Sequence, residues 1–290
     1  MDRKFVYAAL IAVLCVTFTT TQATAQAKGC SYSDINIKGL VSAINDNGAM
    51  VGTATDRPAA FVLSNGKMSF FTFPGTHSAI PANISNTGQI VGSYVVPTDT
   101  ENLHGFSVLH GVFHKINFPG ADTTIVGGNN TQGDIVGSFS GRTVGNNGFL
   151  LRSGKFHVIH VPGSSSTSAA AINRFGQIAG NYTDAQGAEH GFVLNPSGTL
   201  HFVNFPGGIN TTVEKINDAG VIIGGYGIEG QNADHSYMLV KGKYINIDDP
   251  NGLTATFALG LNNRHTFAGE YISNDGTRQP SFIAHCPTVF

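Results

Sequence analysis

Six near-copies of one phrase run through this chain. Aligning on a glycine that follows an apolar pair gives AMVG, QIVG, DIVG, QIAG, VIIG and TFAG, ending at Gly52, Gly92, Gly137, Gly180, Gly224 and Gly269. Successive glycines lie 40, 45, 43, 44 and 45 residues apart. A repeat of this period that cannot bury its apolar face alone must stack on its neighbours.

Each copy divides into four strand-like pieces. A small-residue stretch (SAIN, AAIN, EKIN) leads into an Asn-x-x-Gly turn, and then into an apolar piece of the QIVGSY type. A loop of variable length precedes the third piece, HGFVL or NGFLL. A tight turn joins that piece to the fourth, FHKINFPG, which alternates apolar and polar residues and closes on Pro-Gly at Pro74, Pro119, Pro162 and Pro206. In the second piece apolar residues are consecutive (Ile90-Val91, Ile135-Val136, Ile222-Ile223), as burial on both faces requires. Four short antiparallel strands at this spacing predict an all-β fold, a propeller of six four-stranded blades. The glycine after the apolar pair is expected where backbones approach closely between blades.

The ends of the chain extend the pattern. INIKG (Ile35 to Gly39) matches the fourth-strand phrase FTFPG (Phe71 to Gly75), although it precedes the first copy. The sixth copy stops after its third strand, SFIAHC. A closed ring explains this arrangement: the N-terminal strand completes the last blade. In the same alignment Cys286 falls on Asn65 and Cys30 on Gly66, adjacent positions at the tip of a turn, so a Cys30–Cys286 disulfide is expected.

The first residues have the layout of a signal peptide. Asp2, Arg3 and Lys4 precede an apolar run from Phe5 to Phe18, and ATAQA (Ala23 to Ala27) offers small-residue cleavage after Ala27, or else after Ala25. The run is short for a membrane anchor, which needs about 20 residues. The expectation is therefore residues 1–27 as signal and 28–290 as a single domain, secreted or periplasmic, with no membrane insertion after cleavage. A formal charge of −2 gives no basic footprint for nucleic acid, and a monomer is expected.

The pattern N-x-x-G-x-I/V-V-G followed by H-G/S-F/Y, carried by His104-Gly105-Phe106, His190-Gly191-Phe192 and His235-Ser236-Tyr237, resembles the HAF family of bacterial extracellular repeats. The resemblance spans about Ser31 to Cys286. Ala59, Asn147 and Pro280 stand where the family has His, and Gly or Ser often replaces the middle Ala. The resemblance implies an exported bacterial repeat protein and assigns no activity.

No sequence motif marks a catalytic site. GYGIEG (Gly225 to Gly230) has dinucleotide-motif spacing but no helix behind it, and there is no His-Glu-x-x-His, Cys-x-x-Cys, Gly-x-Ser-x-Gly or phosphate loop. No cofactor or metal is expected, and DDPNG (Asp248 to Gly252) reads as a turn. Because His104, His190 and His235 recur at one position, they read as structural, as do His114, His157 and His201 on outer strands. Tyr94, Phe139, Tyr182, Tyr226 and Tyr271 read as packing aromatics. Ser85, Asn129 and His265 depart from the repeat and mark units 2, 3 and 6 as irregular.

Binding is expected on the face that carries the variable loops and the links after Pro-Gly. Its acids include Asp56, Asp99, Glu101, Asp184, Glu189, Glu229, Asp234 and Asp275 in outer loops. Nearer the axis stand His77, Asp122, Asp248 and Asp249. Glu214 and Lys215 break the pattern on an innermost strand, one expected to face the channel and the other a neighbouring blade. The chosen binding residues are Asp122, His77, Asp248, Asp249, Asp184, Asp234, Asp275 and Glu214. The leading expectation is a non-enzymatic binding or scaffold protein for an extracellular glycan, polymer or protein. The alternative is a secreted polysaccharide lyase or hydrolase, with His77 and Asp122 or Asp249 as acid and base on the axial face.

Overall fold

A computed structural model describes residues 29–287, apart from 77, 232–233, 253–254 and 277–278. The expected signal segment lies outside these residues, as does His77. The described residues form twenty-four strands and no helix, so none is a helix long and apolar enough to cross a membrane.

Strand β1 (Ser31–Ile35) comes first. The first unit is β2 (Gly39–Ile44), β3 (Met50–Ala54), β4 (Ala60–Ser64) and β5 (Lys67–Phe71). The second is β6 (Ile80–Ile84), β7 (Ile90–Val96), β8 (Asp99–Leu109) and β9 (Val112–Ile116). The third is β10 (Thr123–Asn129), β11 (Ile135–Gly141), β12 (Gly145–Arg152) and β13 (Lys155–Ile159). The fourth is β14 (Ser166–Ile172), β15 (Ile178–Thr183), β16 (Glu189–Leu194) and β17 (Leu200–Val203). Each of these four units is a separate antiparallel four-stranded sheet in chain order.

The remaining strands are β18 (Lys215–Ile216), β19 (Ile222–Gly227), β20 (Asp234–Val240), β21 (Lys243–Asn246), β22 (Ala255–Leu261), β23 (Thr266–Ile272) and β24 (Ser281–His285). They form a fifth unit, β18 to β21, and a sixth, β22 to β24. One parallel bridge, Asp234 to Ala255, joins the two into a mixed eight-stranded sheet. β1 is the outer strand of the sixth unit, antiparallel to β24 from Ser31↔His285 to Ile35↔Ser281. The Cys30–Cys286 disulfide lies beside that pairing.

The apolar core is divided into clusters, each shared by two neighbouring units. Ala43, Phe73, Tyr94 and Phe106 pack between the first and second. Between the fifth and sixth, Ile223, Met238, Phe267 and Phe282 do the same. Val41, Ile44, Phe61 and Ala268 pack the first unit against the sixth. The inner strands touch in the order β2, β6, β10, β14, β18, β22 and back to β2. Where β22 meets β2, an added Cβ on Gly260 would lie 2.8 Å from the Ala43 backbone, so only glycine permits the approach.

The turn asparagines follow the same circuit. In Asn45, Asn130, Asn173, Asn217 and Asn262, Oδ1 accepts the backbone N–H groups two and four residues on, which fixes the turn. Each Nδ2 reaches the next unit: Asn130 to the carbonyl of Asn173, Asn173 to that of Asn217, Asn217 to that of Asn262, Asn262 to that of Asn45 and Asn45 to that of Ser85. Ser85 is too short to continue, and its hydroxyl bonds Thr87 instead. Asn83 bridges the gap to the Asn129 carbonyl, and Asn129 donates back to Gln89. The irregular pair Ser85 and Asn129 is thus one compensated exchange. His265 takes the positive φ of the turn glycine it replaces, at 60°.

The repeated glycines have a different cause from the one expected. Cβ atoms at Gly52, Gly92, Gly137, Gly180, Gly224 and Gly269 would stand 1.9–2.1 Å from the carbonyl oxygens of Leu40, Ile80, Ile125, Ser168, Thr212 and Phe257. Five of those carbonyls belong to the inner strand of the same sheet, just before a bulge such as Val126/Gly128, and Thr212 lies in the segment that leads into β18. The close approach lies within each unit, where the bulge turns a carbonyl into the second strand.

Candidate functional site

The inner strands differ most at the bulge residue. Ser42, Ala82, Gly127, Ala170 and Leu259 occupy it in five units, and in the repeat alignment Glu214 takes the equivalent place in the fifth unit, just ahead of β18. At Gly127 an added Cβ would lie 2.7 Å from the Ala169 carbonyl of the next unit. A glutamate there needs more room. In the fifth unit the inner strand is reduced to Lys215–Ile216, Asn210 has φ 50°, and contact with β19 is carried by the Ile209–Gly227 bridge and the Thr212–Gly225 exchange.

A cleft of 670 Å³ opens there, with walls from the fourth, fifth and sixth units. It lies on the face of the variable loops. Glu214 lines it from the inner strand, Glu189 from the start of β16 and Asp234 from the start of β20. Burial, helped by repulsion from Glu189, pushes the Glu214 carboxyl above its ordinary range despite the neighbouring Lys215. Among the described residues, none of the three carboxylates accepts a hydrogen bond from a side chain or pairs with a cation. Phe257 adds a half-buried aromatic wall.

His235 is held in the wall of the cleft. Its ring stacks on Tyr226 at 5.2 Å, and Tyr226 stacks on Phe205 at 3.6 Å. Nδ1 donates to Asp248 Oδ2 at 2.7 Å, while Asp248 Oδ1 accepts the Ser236 N–H. Nε2 is enclosed and meets no hydrogen-bond partner. Ser236 Oγ is fully engaged, donating to the Thr256 carbonyl and accepting the Ala258 N–H.

The other histidines of this position show the structural role. His190 stacks on Tyr182, with Nδ1 hydrogen-bonded to the Asn204 amide and Nε2 to Asp184, a pairing that holds the Asp184 carboxyl below its ordinary range. His104 lies on Tyr94 with Asp99 at 3.7 Å. In the third unit the pair is exchanged, with Asn147 in the histidine's place accepting from His160. Tyr94, Phe139, Tyr226 and Tyr271 are buried, as packing aromatics should be. His114, His157 and His201 are exposed on outer strands.

Glu214 and Asp234 therefore share the cleft, and Asp248 reaches it through His235. The other chosen residues stand apart. Asp122 is exposed and accepts the Arg142 N–H of its own unit. Asp184 caps its own loop through Gln186 and Ala188. Asp275 accepts from Ser273 beside a smaller pocket of 380 Å³. Lys215 reaches from the fifth unit to the Ala82 carbonyl of the second at 3.0 Å, and burial pulls its amine down. Glu189, expected only as an outer-loop acid, and His235, expected as a recurring structural residue, also line the cleft.

Asp249 is 3% exposed, and it occupies the place of a buried apolar residue. Its N–H donates to Thr256 Oγ1, as those of Phe118, Val161 and Phe205 donate to Thr124, Thr167 and Thr211. A carboxyl there leaves Oδ2 without a partner, and burial pushes its pKa up. The stabilising contribution of a raised carboxyl is complete below its unfolded pKa and is lost as pH rises through the folded one. Asp249→Val is expected to stabilise the protein by about 1–3 kcal/mol at pH 7.5 and by much less at pH 4. Urea melts at both pH values measure this, and equal effects would contradict it.

No group of His, Cys, Asp and Glu among the described residues is arranged to hold a metal ion. No protein-family model matches the chain, and no curated protein matches it in sequence. Solved structures do resemble it. A protein assigned as TolB from Agrobacterium tumefaciens is 11% identical, with a TM-score of 0.59 over 88% of this chain and 97% of that one. A gluconolactonase from Xanthomonas campestris is 9% identical, with a TM-score of 0.54 over 91% and 92%. A lectin from Aleuria aurantia, in complex with a fucose–GlcNAc ligand, is 10% identical, with a TM-score of 0.50 over 87% and 93%. These neighbours are β-propeller proteins, and the chain shares their fold.

Proposed function

We propose that the protein is a closed six-bladed propeller, exported and non-enzymatic, that binds an extracellular ligand in the cleft walled by its fourth, fifth and sixth blades. The observation that carries this reading is the cleft itself: 670 Å³, within the usual size of ligand pockets, lined by Glu189, Glu214 and Asp234, which form no salt bridge among the described residues. The Ser236 hydroxyl in its wall is committed to two backbone groups, and among the described residues no hydrogen-bonded nucleophile–base pair stands in it. Closure is supported by the circuit of inner strands, the Asn262–Asn45 bond and the pairing of β1 with β24. The disulfide is compatible with export, and membership of the HAF repeats belongs to the same proposal.

The structural neighbours include both enzymes and binders, so fold does not decide between them. Nothing favours the axial enzyme. His77 lies outside the described residues, Asp122 is bonded to Arg142, and Asp249 is buried with Asn251 and Thr256.

A panel of immobilised extracellular polysaccharides and proteins, probed with residues 28–290 and with the Glu214→Gln/Asp234→Asn variant, tests the proposal. Retention of the parent on a member of the panel, lost by the variant, is expected. Turnover of any polysaccharide, or retention that ignores both substitutions, would contradict it.

A further inference from the structure

We propose that the cavity where the six inner strands meet is an anion site, which holds one small monovalent anion of chloride's size on Lys215. The site is separate from the cleft and does not depend on what the cleft binds.

Lys215 pairs with Ile223, the residue just before a repeat glycine. The same place in the other units belongs to Ala43, Asn83, Gly128, Ala171 and Gly260. None of these has a long side chain, so the lysine stem has room to cross among the inner strands. Its amine reaches from the fifth unit to the second and donates to the Ala82 carbonyl at 3.0 Å. Lys215 is 8% exposed and lines a cavity of 80 Å³ to which all six units contribute.

An ammonium group carries three N–H donors and a full charge. Among the described residues one carbonyl answers one donor, and no carboxylate forms a salt bridge with the amine. Burial pulls the amine down, and Glu214, the carboxylate that opposes this, lines the cleft and not the cavity. The walls Ile44, Ile84, Ile172, Ile216 and Leu261 supply no counter-charge. Asp46 and Asp218 line the cavity from turns at its mouth, where they accept donors from Asn86, Asn263 and Arg174. Water would satisfy the remaining N–H groups and leave the charge uncompensated. An anion answers both demands.

The volume sets the size of the anion. A water molecule takes about 30 Å³, so a cavity of 80 Å³ admits a halide with little else and excludes a sugar acid.

Crystals of the mature chain soaked in sodium bromide test this by anomalous diffraction. A bromide peak within hydrogen-bond reach of Lys215 Nζ is expected. Raising sodium chloride from about 1 to 100 mM, with sodium gluconate holding the ionic strength, should raise the melting temperature by about 3 °C or more. Lys215→Met should abolish that rise. Water alone at Nζ would overturn the inference, as would a rise that Lys215→Met shares in full. A bromide peak with no chloride-dependent rise would mark an adventitious ion only, and would overturn it too. The diffraction and the parent's melts need no variant, so they decide the matter where Lys215→Met does not fold.

Discussion

Gly137→Ala is expected to destabilise the protein by about 3 kcal/mol or more, a large share of the roughly 5–15 kcal/mol that holds a typical domain folded. The new methyl would stand 2.1 Å from the Ile125 carbonyl oxygen and 2.7 Å from the Phe149 ring. The ring could shift, but the carbonyl belongs to a strand pinned between two others and could not. Phe149→Leu should therefore fail to rescue the variant. Gly133→Ala is the control. Its φ of 84° penalises any side chain, yet no atom lies within 4 Å of the added Cβ, so a loss of about 1–2 kcal/mol is expected. Chemical melts of the three variants separate steric exclusion from backbone strain. Equal losses for Gly137→Ala and Gly133→Ala would show that the repeated glycine serves only as a flexible residue.

Replacing both cysteines by serine is expected to lower the melting temperature by about 10 °C while leaving the fold intact. The bond spans 256 residues, and on the chain-entropy account a loop of that length is worth about 5 kcal/mol, a ceiling for a native bridge. The fold should survive because β1 is also held by its full register on β24 and by the Tyr32 ring against Phe267 and Phe282. Calorimetry of the oxidised protein and the double variant measures the difference. An unchanged melting temperature would mean that the ends are not held together in the parent.

What the sequence showed and what it hid divide along physical lines. The six glycines and the Pro-Gly links answer local backbone demands, so they recur in register and can be read from one chain, and that register in turn brings Cys30 and Cys286 to adjacent turn positions. The reason for the glycines was less accessible. Whether Gly137 makes room for a neighbouring unit or for Ile125 in its own sheet depends on the bulge at Val126/Gly128, which spacing does not reveal. The asparagine circuit was hidden because each link joins different units, 45 positions apart for Asn217 to Asn262 and 217 apart for Asn262 to Asn45.

The cleft was half legible. Glu214 stood out because every other copy has a small or apolar residue in its place. Its consequence, a cleft walled by three units, required the packing. His235 was discounted because it recurs, and for His104 and His190 that reading describes the structure well. What sets His235 apart is Asp248 at the position of Asn204, which takes Nδ1 and leaves Nε2 without a partner. Asp249 stood out for its charge, but the charge marks an apolar position taken by a carboxyl.

Closure of the ring is tested most directly by nuclear Overhauser contacts across the junction of the first and last units in isotope-labelled mature protein. Cross-peaks between Ala43 and Gly260, and between Ser33 and Ile283, are expected alongside those joining each unit to the next. Contacts that run from the first unit to the sixth without returning to the first would contradict the closed ring.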